Sequence, residues 1–362
     1  MNAPISLIIN DRIKDRRVDF FTRFNISLRF DSFGSAFSFE APFNYKNQDH
    51  VDMFCIGHYH VVKIEYNGKR FLTGYLIDNG FSSEPTKQLV TFGGYSLAGV
   101  LEDCNINTDN YPLQMDGLTL SEIVDRLVKP FNVSYRIDPS VSSEMNSAFD
   151  KATAEPTQTI KDFITKLAGQ KNIIITNNES GQLVFTRANT NKSPILDFDN
   201  SLEQSIPFTK MQLGFNGQGM HSHITVVKQQ DEDGGNAGED TVRNPFVFPS
   251  AVFRPKVVTQ SSGDDIDTAK AARNILSNEL KNLKLTISTD RWEDINGDII
   301  KPGNIVTVKN PDIYLFKKIP WFIEQVSFRG DQAAFTTEIV CSLREVYNGQ
   351  TPEYIWKGIN LH

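Results

Sequence analysis

The residue types best suited to metal chemistry come in two pairs, His58-x-His60 and His221-x-His223. Each is expected to set two imidazoles on one strand face, the start of a metal site. Neither has Cys, Asp or Glu grouped with it at ligand spacing, so both are expected to be ordinary sheet positions. GYSLAG (Gly94–Gly99) approaches a nucleophile elbow, but its second glycine is one residue late and it lies in a β context. The elbow needs a strand-to-helix turn. GFNGQG (Gly214–Gly219) lacks a phosphate-binding lysine and opens no helix, so a bulged strand or turn is expected. The adjacent carboxylates Glu102-Asp103 and Asp264-Asp265 could in principle form the pair that cleaves a glycoside, but read as element boundaries and solvated loops. Cys55, Cys104 and Cys341 are odd in number, far apart and without a C-x-x-C pair, which predicts buried apolar thiols. No catalytic, cofactor-binding or metal-binding residue is expected, and no cofactor.

Charge points the same way. The chain of 362 residues carries a net charge of −7, a poor match to phosphate backbones, which call for clustered Lys and Arg. The one basic cluster, Arg12 to Arg17, reads as a solvated turn. No apolar run approaches the ~18–20 residues of a membrane helix, so no stable membrane anchor is expected. The N-terminal apolar patch precedes its basic cluster, the reverse of a secretory signal, which predicts folding in a cytosol.

Such a chain must be read from its elements. Residues 1–102 are β-patterned: NISLRF (Asn25–Phe30) and VKIEY (Val62–Tyr66) alternate with period two. Asn67-Gly68 then predicts a type I′ hairpin into KRFLTGYLI, and KQLVTFGG adds a strand. The pattern changes after Cys104. Thr119 and Glu122 form a capping box opening a helix with Leu120, Ile123, Val124, Leu127 and Val128 on one face, stopped by Pro130. A strand, NVSYRI, follows. A second helix, about Thr159 to Ala168, buries Ile160, Phe163, Ile164 and Leu167, with Gly169 at the expected C′ position. NIIITNNESGQLVFTRA then makes two strands across a turn. Helices this short need those strands to pack on.

From about 191 the chain is β again. HSHITVVK leads into a polar segment, 229–240, expected to be a mobile loop. A helix capped by Asp267 carries Ala269, Ala272, Leu276 and Leu280 in a stripe. LKLTIS, NIVTVKN, WFIEQVSF and AFTTEIVCSLREV are strands. The last sets Phe335, Thr337, Ile339, Cys341 and Leu343 on one face and Thr336, Glu338, Ser342 and Arg344 mostly on the other. The expected fold class is mainly β with an α+β insertion: two small antiparallel β-barrels plus a small α/β domain. The expected division is 1–102 first barrel, 103–190 α/β domain, 191–345 second barrel and 346–362 tail. In that tail Tyr354, Ile355, Trp356, Ile359 and Leu361 either fold back on their own barrel or dock on a partner, and are the candidate partner interface.

The run GYLIDNGFSSEPTKQLVTFGGYSLAGVLEDCNI, with LTLSEIVDRLVKPFNVSYRI, GQLVFTRA and RWEDINGDIIKPGNIVTVKN, resembles baseplate hub proteins of Mu-type contractile-tailed phages. These are related to the late-control D family and to the hub part of type VI secretion spikes. The likeness lies in the order and spacing of elements over about 55–345, and departs near GGYS, where Gly-Arg-Asp would be expected. It implies a structural, non-enzymatic homotrimer, two tube-like barrels per chain giving a pseudo-sixfold ring that adapts the sixfold tail tube to the threefold spike. It implies a lumen through which DNA passes as cargo, and as partners the central spike, the tail tube or its initiator, and baseplate wedge proteins. The implied location is the virion tail baseplate, assembled in the host bacterial cytoplasm. The alternatives are the hub of a type VI spike, disfavoured because no spike-forming extension is expected after residue 345, a tail-associated cell-wall hydrolase, and a carbohydrate-binding module with exposed aromatics clustered on one barrel.

Overall fold

The computed structural model describes residues 5–11, 13–228, 238–248, 250–260, 267–331 and 334–357. The chain divides into two compact units, residues 1–187 with 327–336, and residues 188–326 with 337–362.

The first unit is an antiparallel sheet followed by an α/β insertion. Asn67 and Gly68 take φ of 49° and 75°, the left-handed pair that a type I′ turn needs, and join strand Val61–Tyr66 to strand Lys69–Glu84. The sheet order runs from Asp15–Val18 through Ile5–Asn10, Val61–Tyr66, Lys69–Glu84, Lys87–Ser96 and Ala36–Pro42 to Arg23–Arg29, which lies beside the end of Leu315–Asp331. Alternation drives burial: Phe24, Ile26 and Leu28 of one strand and Phe37, Phe39 and Ala41 of the next point inward. Phe39 stacks on Phe92, and Phe92 meets Phe54. Two strands approach so closely at Gly94 that a Cβ there would lie 1.8 Å from the Tyr75 carbonyl oxygen, next to a bulge between Leu76 and Asp78.

Helices Leu120–Val128 and Ile160–Gln170 cover a three-stranded sheet ordered Tyr135–Ile137, Leu183–Thr186, Ile174–Asn177. Their apolar faces, Leu120, Ile123, Val124 and Leu127 with Ile160, Phe163, Ile164 and Leu167, form one buried cluster with Leu183 and Phe185. The capping box is present: Thr119 N donates to Glu122 Oε2 at 2.8 Å, and Glu122 N donates to Thr119 Oγ1 at 3.2 Å. The second helix runs past Gly169. Asn172 takes the left-handed position (φ 55°), with Ile173 N bonded to Ala168 O, because asparagine tolerates that region almost as glycine does.

In the second unit the order is Lys210–Phe215, Leu283–Thr289, Phe335–Leu343, Leu315–Asp331, Ile305–Asn310, Leu196–Asp199. A separate sheet of Glu239–Arg243, His223–Lys228 and Pro255–Gln260 accompanies helix Thr268–Leu280, whose cap Asp267 accepts from Lys270 N at 2.8 Å. Thr337, Ile339, Cys341 and Leu343 are buried as the alternation demands. Ser342, expected outward, is buried too, and Phe335 is 39% exposed. The mainly β class with an α/β insertion is borne out, and within each unit the pairings among the described residues form an open order.

Among the strands that the sequence pattern did not single out, three lie in segments of mixed or charged composition. In Asp15–Val18, part of the expected basic turn, Arg16 is buried, not solvated. It donates to Asp11 Oδ2 and to Asp52 Oδ2 at 2.7 Å, and also pairs with Asp49. Three carboxylates repay the desolvation of one guanidinium. Arg12 lies outside the described residues. Ile5–Asn10 pairs with Val61–Tyr66, and Glu239–Arg243 begins within the expected 229–240 loop, of which 229–237 lies outside the described residues.

Candidate assembly surfaces

The histidine pairs do not converge. His58 and His60 precede their strand: His58 is exposed, while His60 is buried, with Nε2 3.0 Å from Asp52 O. His221 also lies before its strand, where its Nδ1 is 2.8 Å from Glu279 Oε1 and its backbone N–H donates to Glu279 Oε2. Lys256 Nζ reaches the same Oε1 at 3.0 Å, so the buried Glu279 ties strand, loop and helix together. His223 instead leans on Ser222 and Phe253. No strand face presents either pair, because the first histidine of each sits in the approaching loop. Among the described residues no three His, Cys, Asp or Glu side chains are grouped to hold a metal.

Ser96, the would-be nucleophile, is fully buried and its Oγ accepts the Ser35 N–H at 2.9 Å. The next residues turn as a short 3-10 helix, Leu97–Gly99. Glu102 accepts from Gly34 N at 3.2 Å and pairs with Lys161, an element boundary as its sequence suggested. Asp264 and Asp265 lie outside the described residues. Gly217–Gly219 is a turn, begun by Asn216 Oδ1 accepting from Gln218 N. Cys341 is buried and burial pushes its thiol well up. Cys55 and Cys104 are only half-buried, contrary to expectation, since each lies in a connection at the end of a short helix.

The described part of the tail folds back on the second unit. Tyr354 packs edge-on against Phe248, with centroids 5.1 Å apart, and Trp356 edge-on against Phe246 at 5.9 Å. Trp356 Nε1 donates to Tyr314 O at 2.7 Å, and Ile355 is buried. Tyr314, Phe316 and Phe248 remain between 40% and 46% exposed, so an aromatic patch faces solvent. Periodicity had no means of joining Tyr314 to Trp356, which are 42 residues apart. Ile359 and Leu361 lie outside the described residues.

In the first unit a cavity of about 520 Å³ is floored by Phe24 and Phe39 and rimmed by Arg23, Glu40, Arg329 and Asp331. Its mixed charges favour no single ligand class. In the insertion, burial and then a hydrogen bond to Asp125 push Tyr135 up to about 12. Around it lies a shallow hollow lined by Val128, Lys129 and Val133.

The chain is similar to known proteins, over one segment in sequence and over most of its length in fold. Residues 98–187 match the family described as "Baseplate hub protein gp44-like, second domain". Baseplate hub protein gp44 of Escherichia phage Mu is 21% identical over 294 residues, covering 78% of this chain and 74% of that protein. The 43 kDa tail protein of prophage MuSo2 from Shewanella oneidensis shares the fold with a TM-score of 0.75 at 18% identity, over 95% of this chain and 98% of that one. The E. coli c3393 protein, described as a component of the type VI secretion system, superposes with a TM-score of 0.53 at 10% identity, over 93% and 77% of the two chains. The resemblance to Mu-type baseplate hub proteins is borne out.

Proposed function

We propose that this chain is the structural hub of a contractile phage tail baseplate, acting as a homotrimer that adapts a sixfold tail tube to a threefold central spike. The observation that carries the reading is the gp44-like second domain at 98–187, set within a fold shared over 95% of the chain with a phage tail protein. The division into a first tube-like barrel (1–102), an α/β domain (103–190), a second barrel (191–345) and a tail belongs to this proposal. Three chains, each contributing two β domains, would enclose a lumen for DNA during ejection. Spike, tail tube or tube initiator, and wedge proteins would be the partners, and Tyr354 and Trp356, with the patch they share with Tyr314, would face one of them. The net charge of −7 suits a channel that lets DNA slide past.

Negative-stain micrographs of the purified chain test this reading. A three-lobed ring of near-sixfold outline is expected, and compact single-chain particles would refute it. The likeness to the type VI component supports a second reading, the hub of a secretion spike. Co-purification separates the two: the first expects capture of phage tail tube protein, the second of a secretion tube protein. The hydrolase alternative predicts clearing on a peptidoglycan zymogram. The burial of Ser96 speaks against a serine nucleophile there.

A further inference from the structure

Of the strand edges left open among the described residues, two run for six residues or more without a proline. Strand Lys69–Glu84 pairs with Val61–Tyr66 only as far as Tyr75, with one more bond from Leu76 N to His60 O. Beyond that the edge of residues 77–84 has no backbone partner, although from Asp78 to Glu84 the opposite edge pairs with Lys87–Ser96. Strand Lys210–Phe215 pairs with Leu283–Thr289 on one side and ends its sheet on the other. Open edges of six to eight residues are templates for another strand, and natural proteins cover or blunt them. Neither edge carries a proline or an inward charge to do so. Beside them Phe81 and Phe215 are 43% and 50% exposed.

The two edges are complementary. Placed antiparallel with Glu84 opposite Lys210, they set Ser82 opposite Gln212 and Gly80 opposite Gly214, all on outer faces. The same register sets Phe81 opposite Leu213 and Ser83 opposite the buried Met211. Phe81 is the side that packs on Phe43 (4.8 Å), so the core-facing sides coincide. A shift of one residue would oppose core side to solvent side. Glu84 and Lys210 are exposed, and neither has an ion-pair partner among the described residues.

Resting on the hub reading, we propose that residues 77–84 of one copy add as an antiparallel strand to Lys210–Phe215 of the next, in the register Glu84–Lys210. Because the two edges differ, the contact is head-to-tail, the kind that closes into a ring.

The test uses the full chain with Ser82→Cys and Gln212→Cys, singly and together, since directly opposed strand positions come within disulfide reach. Mild oxidation of the double variant is expected to give covalent dimers and trimers on a non-reducing denaturing gel, with the 82–212 link found by mass spectrometry. The single variants should give neither. In parallel, Glu84→Lys is expected to raise the concentration for half-dissociation, by up to about five-fold per contact. Adding Lys210→Glu should restore it. Both positions are exposed, and circular dichroism controls for folding. A trimer that never forms the 82–212 link and ignores both charge changes overturns the edge pairing and leaves the hub reading standing. A monomer at every concentration overturns both.

Discussion

At the residue scale, the side chains that looked chemically able serve as ties. Arg16 is the most committed, because its guanidinium closes a loop, a strand and a short helix through Asp11, Asp49 and Asp52. Arg16→Ala strands the buried Asp11 and is expected to lower stability by about 3 kcal/mol in urea denaturation, with Arg16→Lys recovering only part. Acid sensitivity belongs here too. The Ser143 hydroxyl and then Arg187 bring Glu144 from its ordinary 4.5 to about 2. The Lys14 N–H and then Arg16 hold Asp11 well below the usual carboxylate range. A carboxylate lowered in the folded state contributes stability above its ordinary value and loses it as pH falls through the folded value. Unfolding midpoints should therefore be level above about pH 4.5 and decline towards pH 2, and Glu144→Gln should flatten part of that decline. The sequence displayed Arg16 as one of a basic run. Only the fold, which brings carboxylates from positions 49 and 52 to it, changes its meaning.

At the element scale, local signals were read where local physics decides. The Thr119–Glu122 box, the Asn67-Gly68 turn and the Asp267 cap needed only neighbours in sequence, and all three stand where expected. Thr119→Ala should cost about 1 kcal/mol in denaturant. Phe163→Ala, which empties the cluster under the insertion, should cost about 3–5 kcal/mol. Gly94→Ala drives a Cβ into the Tyr75 carbonyl and is expected to leave the chain insoluble or unfolded, as a solubility assay would report. What stayed illegible was non-local. Asp15–Val18 takes its strand identity from Ile5–Asn10, and the tail cluster joins Tyr314, Phe246 and Trp356 from three separated segments. The helix end at Asn172, three residues past Gly169, shows a cap chosen by register, not by residue preference.

At the scale of the whole molecule, residues 98–187 carry the family match, and 95% of the chain shares its fold with a prophage tail protein. In the proposed hub, function lies in how copies meet. The most direct measurement is the mass of the purified full chain by sedimentation equilibrium across a wide concentration range. The hub account predicts a species of three times the 40.8 kDa chain mass that dissociates on dilution without an accumulating dimer. A single-chain mass at every concentration, or a stable dimer, would contradict it.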